Sequence, residues 1–496
     1  MTNAGSPGGL EKYFLKFRNN IIGIDSYFES PYGRKKILYA DWIASGRLYK
    51  PIEDILTGKI GPFVGNTHSF ASETGSLMTS AYHLAHEIIK KHVNADDHDV
   101  IITANSGMTG VVCKFQRILG LKVPEKLDRY FTIPEEEKPV VFITHLEHHS
   151  NHTSWLETIA DVVVLDPDEN LTVIPDRLEN EIRKYDDRKI KIGAFSGCSN
   201  VTGYIPPYYE LAKIMHDHGG YCFIDFAASA PYADINMHPG TPGHDLDAIY
   251  FSPHKFLGGP GSSGVLVFNK KLYRNRIPDH PGGGTVNWTN RWNEYSYISD
   301  VETREDGGTP GFLQAMKAAL SIRLKEEMGV ENIAEREKEM LQLLFREFAA
   351  IRGLKILADH IKERLGVISF FIEGIHHNLV TKLLNDRFGI QVRGGCSCAG
   401  TYGHFLLNVD RETSHAIADH IDQGDLSLKP GWIRLSLHPV MTDVELMFIV
   451  SALKDIVDHY EEYARDYRYE PSDNEFYPIN ADPFKKQIIE SWFLLA

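Results

Sequence analysis

The stretch "AIYFSPHKFLGGPGSSGVLVF", residues 248 to 268, decides how this chain is expected to fold. Two short apolar runs, Ala248 to Ser252 and Val265 to Phe268, flank a turn that is rich in glycine. Apolar runs bounded by turn residues are typical of buried strands. His254 and Lys255 therefore follow a predicted strand directly, and the small residues after them allow a ligand to approach the backbone.

Five more apolar runs precede this stretch, and segments with helical periodicity separate them. The seven predicted strands are 99–103, 139–144, 162–166, 191–196, 221–225, 248–252 and 265–268. Leu77 to Val93 carries one apolar helical face, and Tyr208 to His218 is followed by a glycine pair that is typical of a helix end. This alternation predicts an α/β fold with a mostly parallel, seven-stranded sheet that is sandwiched by helices.

The pattern changes after residue 312. A long helical stretch, Leu313 to Ala350, leads to apolar runs at 367–373, 390–395 and 431–437, which predicts a smaller α+β domain. We therefore divide the chain into four predicted parts. They are an N-terminal arm with part of the small domain (1–54), a large domain (55–312), a linking helix and small C-terminal domain (313–465) and a C-terminal extension (466–496).

The bulk composition limits the classes of partner. The chain has 496 residues, with 52 basic and 67 acidic side chains and a formal net charge of −15, which disfavours nucleic acid and anionic membranes as partners. No apolar run approaches the roughly 20 residues of a membrane helix, and the N-terminus lacks a signal-peptide pattern. Five cysteines, an odd number, argue against a disulfide framework, so we expect a cytoplasmic protein.

Lysine at a strand end suggests covalent chemistry. A desolvated lysine loses its proton easily and forms Schiff bases, and on an α/β sheet this suggests pyridoxal 5′-phosphate (PLP). That cofactor needs a carboxylate near its pyridinium nitrogen and donors for its phosphate. Asp225 ends a predicted strand, and "TANSGMTG" (103–110), which includes Ser106, joins a strand to a helix whose amides suit a phosphate. Without Lys255, the same aspartate is better read as an ordinary turn residue.

The segment "THLEHHSNHTSW" (144–155) contains four histidines, His145, His148, His149 and His152. A metal cluster is one interpretation, although two of the four are adjacent and no cysteine lies nearby. A single imidazole stacked on the cofactor is the other.

A nicotinamide-dependent dehydrogenase is disfavoured because no G-x-G-x-x-G follows the first strand of the alternating region.

These motifs together resemble the class V (fold type I) aminotransferase family of PLP enzymes, in particular its cysteine desulfurase and selenocysteine lyase branch. The segments that carry the resemblance are "SPHKFLGGPG" (252–261), "EHHSN" (147–151), "SNVTG" (199–203), "REDGGTP" (304–310) and "IRLSL" (433–437). The matches run in the family's order from about residue 38 to 440.

The resemblance implies a role for each matching residue. Lys255 would form the Schiff base and move the substrate's α-proton, Asp225 would pair with the pyridinium nitrogen, and His148 would stack on the ring. The implied phosphate and cofactor contacts are Ser106, Gly107, Met108, Asn200, Ser252 and His254, and Thr285 would reach the phosphate from the second subunit of a homodimer. Arg434 would bind the substrate carboxylate, and Ala44, Ser45, Asn66 and His68 match substrate-side segments more loosely.

Two positions bear on the reaction. In "VRGGCSCAG" (392–400), Cys398 matches the cysteine that carries a persulfide in the desulfurases, and Cys396 is an additional cysteine that would resolve or relay it. Ala228, however, stands where these enzymes have a glutamine.

The expected reaction is removal of sulfur or selenium from cysteine or selenocysteine, with a sulfur acceptor protein as a further partner. A class V aminotransferase, epimerase or other lyase is the alternative, and a non-catalytic PLP-binding protein is a third. The cysteines themselves have two other interpretations, a packed pair or half of a metal site.

Overall fold

The computed structural model describes residues 9–104, 106–480 and 486–495. Parts of the predicted N-terminal arm and C-terminal extension, and Asn105 of the predicted phosphate loop, lie outside the described residues. The helices are Gly9–Arg18, Lys50–Asp54, Glu73–His92, Gly107–Ile118, Glu125–Asp128, His149–Leu156, Pro175–Ile182, Tyr208–Asp217, Val301–Arg304, Phe312–Met328, Val330–Phe348, His377–Phe388, Gly400–Leu406, Arg411–Asp422, Asp443–Tyr463 and Lys486–Ser491.

All seven predicted strands form one sheet. They are β1 (Asp99–Ala104), β2 (Val140–Thr144), β3 (Asp161–Leu165), β4 (Lys191–Ser196), β5 (Tyr221–Asp225), β6 (Ala248–Phe251) and β7 (Gly264–Asn269). Their spatial order is β1-β7-β6-β5-β4-β2-β3. Only β7 runs antiparallel to its neighbours within this sheet, so the predicted mostly parallel, seven-stranded sheet is confirmed.

Helices cover both faces of this sheet. Side chains alternate along each strand, so Phe223 of β5 belongs to the apolar core on one face while Ile224 belongs to the core on the other. Helix Gly107–Ile118 packs on the first face, and helix Glu73–His92 packs on the second. Because both faces are buried, the strands read as continuous apolar runs in the sequence.

A second sheet follows in the C-terminal part. It contains β8 (Leu354–Ile356), β9 (Val367–Ile372), β10 (Arg393–Gly395) and β11 (Trp432–Ser436), in the order β8-β9-β11-β10 with every neighbour antiparallel. A separate apolar core lies against it and includes Phe14 and Phe17 of the first helix. Residues from the beginning of the chain therefore complete this C-terminal unit, while the boundaries between the four predicted parts stay predictions.

Two sequence expectations need correction. The predicted single helix Leu313 to Ala350 is two helices, because Gly329 has φ +77° and interrupts the helical backbone. The predicted strand 390–395 is also divided, because Ile390–Gln391 pairs with Leu38–Tyr39 instead of joining the C-terminal sheet.

The remaining strands form three hairpins or short pairs. They are Tyr27–Ser30 with Gly33–Lys36, Val286–Thr289 with Tyr295–Tyr297, and Tyr467–Glu470 with Glu475–Pro478. The last of these lies in the predicted C-terminal extension. Among the described residues, no helix is both long and apolar enough to cross a membrane.

Candidate active site

A cavity of about 220 Å³ opens at the carboxyl ends of β4, β5 and β6. Its walls come from these strand ends, the N-termini of helices Gly107–Ile118 and His149–Leu156, and the C-terminal unit. The predicted site residues that line it are Ala44, Ser106, Gly107, Met108, His148, Asn200, Asp225, Ser252, His254, Lys255, Cys398 and Arg434. The tertiary structure thus gathers most of the predicted site in one place, at the sheet edge where ligands of α/β proteins bind.

The N-terminus of helix Gly107–Ile118 forms an anion-binding cradle. Ser106 and Gly107 have φ of +73° and +60°, and the Met108 amide donates to Ser252 Oγ at 2.8 Å. A Cβ on Gly107 would lie 2.9 Å from Ser252 Oγ, and a Cβ on Gly264 would lie 2.1 Å from the Gly107 carbonyl. These glycines let β7 and the residue after β6 approach the helix end. The positive end of the helix dipole and the Ser252 hydroxyl then face the cavity, an arrangement that suits a phosphate.

Lys255 and Asp225 are the ionisable pair of the cavity floor. Burial lowers the pKa of Lys255 to about 8, although the nearby Asp225 carboxylate acts in the opposite direction. Burial raises the pKa of Asp225 to about 7, against a hydrogen bond that its Oδ1 accepts from the Ala227 amide at 2.8 Å. Burial thus moves the pKa values of both groups toward neutral pH, and shifts of this kind are common among groups that exchange protons or form covalent bonds.

His148 and Asn200 line one side of the cavity. His148 caps helix His149–Leu156, with Nδ1 accepting from the Ser150 amide at 3.1 Å, and burial lowers its pKa to about 3. The ring is therefore neutral. Asn200 donates from Nδ2 to the Ser397 carbonyl at 2.8 Å, whereas its Oδ1 is buried without a hydrogen-bond partner. A buried, unpartnered amide oxygen is costly unless a ligand supplies a donor.

Arg434 is held by a carboxylate that sequence reasoning did not single out. Arg434 is 3% exposed and donates from Nη2 to Asp41 Oδ1 at 2.8 Å, and Arg393 donates from Nε to Asp41 Oδ2 at 3.0 Å. Burial lowers the pKa of Arg434, with Asp41 opposing this effect. Arg434 Nε is buried without a partner, so the guanidinium keeps donors for a second carboxylate. The only signal for Asp41 was its place in "ADWIASG" beside the predicted Ala44.

Cys398 lies in a tight turn at the cavity wall. The Ala399 amide donates to the Cys396 carbonyl at 3.1 Å, and Ser397 and Cys398 have φ of +53° and +56°. Positive φ at both central positions is the signature of a type I′ turn, and each such non-glycine residue costs about 1–3 kcal/mol. The exposed Cys398 is therefore held in a strained conformation, and its carbonyl accepts from the His149 amide at 2.8 Å.

The other histidines of "THLEHHSNHTSW" have protein partners. His149 Nε2 accepts from the Gly400 amide at 3.0 Å, His152 Nδ1 lies 3.2 Å from Thr401 Oγ1, and His145 Nε2 lies 3.1 Å from the Leu171 carbonyl. His149 and His152 thus hold the segment after the cysteine turn against helix His149–Leu156. This is a structural role that the metal-cluster interpretation did not anticipate.

Four predicted site residues lie elsewhere. Ser45 Oγ lies 3.4 Å from His254 Nδ1, and Ser45 does not line the cavity. The exposed Asn66 accepts a hydrogen bond from the Thr309 hydroxyl. His68 lines a separate cavity of about 730 Å³. Thr285 is fully buried, and its hydroxyl donates to the Gly282 carbonyl at 2.7 Å. None of these four side chains lines this cavity, and their expected roles stay predictions.

Comparison with known proteins finds a family match and related sequences. The family model "Aminotransferase class-V" matches residues 39–447. A probable cysteine desulfurase of Staphylococcus epidermidis is 29% identical over 379 residues, covering 75% of this chain and 85% of the relative. One from Staphylococcus aureus strain N315 is 27% identical over 387 residues, covering 77% and 87%.

Solved structures share the fold. A cysteine desulfurase from Thermococcus onnurineus superimposes with a TM-score of 0.69 at 22% identity, covering 85% of this chain and 95% of that chain. One from Escherichia coli superimposes with a TM-score of 0.68 at 20% identity, covering 90% and 98%. Because the family match spans most of the sequence and the site lies at the expected sheet edge, the chain belongs to the class-V aminotransferase family of PLP-dependent enzymes.

Proposed function

We propose that this protein is a PLP-dependent cysteine desulfurase that converts L-cysteine to alanine and leaves the sulfur as a persulfide on Cys398. The observation that carries the proposal is the position of Cys398 in the wall of the cavity that also contains Lys255, Asp225 and Arg434. The similarity to probable cysteine desulfurases supports it. Selenocysteine, with the same carbon skeleton, is proposed as a second substrate of the same site.

The cavity residues fit the cofactor. Lys255 would supply the amine that attaches it, and the buried Asp225 would pair with its ring nitrogen. The cradle at Gly107, Met108 and Ser252 suits its phosphate. Asn200 Oδ1, which has no partner, can accept a hydrogen bond from a bound ligand. When bound, PLP supplies an electron sink for the bonds broken at the α- and β-carbons of an amino acid. His148, neutral and beside the ring site, packs without adding a competing positive charge.

The protein's own residues position the substrate. Arg434 binds the α-carboxylate with the donors that Asp41 leaves free, and Lys255 holds or returns the proton at the α-carbon. Cys398 forms a bond to the substrate sulfur while the substrate's Cβ–S bond breaks. The sum, L-cysteine plus the Cys398 thiol giving alanine plus a Cys398 persulfide, balances without an external oxidant.

The proposal is tested by measuring alanine and sulfide from L-cysteine, with dithiothreitol present, for the wild-type holoenzyme and Cys398→Ala. We expect equal amounts of both products from the wild type and a loss of about 10²-fold or more in the variant, the scale expected when a covalent catalyst is removed. Cys222→Ala, which changes a buried cysteine of β5 away from the cavity, is the control. A wild-type protein that binds PLP and makes neither product would contradict the desulfurase assignment and favour transamination or epimerisation. That alternative has a basis in Ala228, which stands where the desulfurases have a glutamine.

The pH dependence of cofactor attachment tests the role of Lys255 separately. An amine attacks the cofactor's aldehyde only when it is neutral, and burial lowers the pKa of Lys255 from 10.5 to about 8. We expect the rate at which apoprotein takes up PLP, followed by visible absorbance, to rise with pH and to level off above about 8. Free Nα-acetyl-lysine, with a pKa of about 10.4, is the reference. A protein rate that still climbs through pH 10 in parallel with the reference would contradict this prediction.

We also propose a cytoplasmic homodimer that passes sulfur to an acceptor protein. Supporting the dimer, hairpin Val286–Thr289 with Tyr295–Tyr297 carries exposed aromatic side chains, among them Trp288 and Trp292. In this dimer Thr285 would contact the cofactor phosphate in the second subunit's site after its hydroxyl leaves the Gly282 carbonyl.

A further inference from the structure

The cysteine turn separates two cavities. On one side lies the cavity with Lys255. On the other lies a cavity of about 280 Å³, between β10 and the hairpin Tyr467–Glu470 with Glu475–Pro478. Cys398 lines both cavities, whereas Cys396 lines only the second. The turn thus carries one cysteine at the substrate side and another at a separate opening.

Four features of the turn favour exchange between its two sulfurs. Cys396 and Cys398 are the first and third residues of one type I′ turn, so only Ser397 separates them along the chain. Cys396 is half-buried and Cys398 is exposed, so neither thiol is sealed in the core. The turn is fixed from the large domain through hydrogen bonds to the Ser397 and Cys398 carbonyls. Gly395, with φ +98° and no atom within 4 Å of a Cβ position, leaves open space beside Cys396.

Cys198 is the other cysteine beside the first cavity, and it is a poor partner for this exchange. It is 3% exposed, its thiol donates to the Ser199 carbonyl at 3.5 Å, and burial raises its pKa well above the ordinary value. A thiol that stays protonated does not attack a persulfide. It also does not line the second cavity.

Charged side chains of both signs line the second cavity. Arg393 and Lys429 lie in its wall with Asp473 and Glu475, and the last two belong to the C-terminal hairpin and the turn within it. This lining suits a small polar thiol or the thiol of a cysteine-bearing loop better than an apolar group. A route through this opening keeps the acceptor out of the cavity that binds the amino acid.

We propose that Cys396 takes the sulfur from the Cys398 persulfide and presents it to a thiol acceptor in the second cavity. The inference rests on the proposed desulfurase function. In the exchange, Cys396 Sγ attacks the outer sulfur, a new S–S bond forms, and the bond to Cys398 Sγ breaks with its electron pair left on Cys398. Cys398 gains the proton that Cys396 loses, so no oxidant or reductant is consumed.

The test locates the sulfur directly. Holoenzyme is treated with L-cysteine without an acceptor and then alkylated, and fragmentation of the peptide between residues 396 and 398 identifies which cysteine holds the additional sulfur. We expect it on both cysteines in the wild type, on Cys398 alone in Cys396→Ser, and on neither in Cys398→Ser. Turnover with dithiothreitol should fall about tenfold in Cys396→Ser, a change that corresponds to about 1.4 kcal/mol in the barrier, while the Cys398 persulfide accumulates.

Cys113→Ser, on helix Gly107–Ile118 and outside both cavities, is the matched control. Bound-cofactor absorbance and thermal unfolding check that Cys396→Ser is folded. Sulfur found only on Cys398, with unchanged turnover in Cys396→Ser, would overturn the relay while leaving the desulfurase intact. A Cys396–Cys398 disulfide with released sulfide would also overturn it. Absence of any persulfide in the wild type would instead contradict the proposed function.

Discussion

Lys255→Ala is expected to abolish covalent attachment of the cofactor and to slow alanine formation from L-cysteine by about 10²- to 10⁴-fold, the range that a positioned acid–base group contributes. The reason lies in the position of the amine. Lys255 lies in the cavity floor, burial lowers its pKa to about 8, and Asp225 is close enough to oppose that change. Among the described residues that line this cavity, no other lysine is present to replace it.

Two measurements separate binding from chemistry for this variant. Borohydride reduction followed by peptide mass spectrometry should find the cofactor on Lys255 in the wild type and on no lysine in the variant. Lys270→Ala, which removes an exposed lysine just after β7, should retain both the adduct and the activity. An active Lys255→Ala protein, or an adduct that persists on another residue, would refute the assigned role.

Arg434→Lys is expected to raise the KM for L-cysteine by about 10- to 100-fold with a smaller change in kcat. Lysine keeps the charge that Asp41 requires but loses the planar pair of donors that binds a carboxylate. Loss of one hydrogen bond to a charged group is worth about 1.5–3 kcal/mol, which gives a change of this size. Lysine is chosen over alanine because alanine would leave Asp41 Oδ1 without its partner and destabilise the fold, since Arg393 binds only Oδ2.

The control for this substitution is another buried arginine. Arg364 is 8% exposed and donates to the carbonyls of Leu357, Ala358 and Ile361 outside the substrate cavity. Arg364→Lys should lower the unfolding temperature without changing KM. A KM for Arg434→Lys equal to that of the wild type, in a protein with unchanged cofactor absorbance, would show that the carboxylate binds elsewhere.

The sequence by itself determined the sheet and the positions of Asp225 and Lys255 at its edge. The strand ends that carry Asp225 and Lys255 were predictable because apolar runs, turn residues and helix ends are local signals. A parallel sheet then brings the carboxyl ends of β5 and β6 together at one edge, whatever the rest of the chain does. The same local signals did not predict the break at Gly329. The helical periodicity predicted one continuous helix, and Gly329, with positive φ, divides it into two.

Only the tertiary structure decided how the substrate side of the site is built. Asp41 and Arg434 are 393 positions apart, and they meet because the backbone near residue 41 pairs with β11. Packing also turned Thr285 inward and placed Cys396 and Cys398 on two different cavities. Such contacts depend on which distant surfaces bury each other, and no pattern within a short window of sequence specifies that choice.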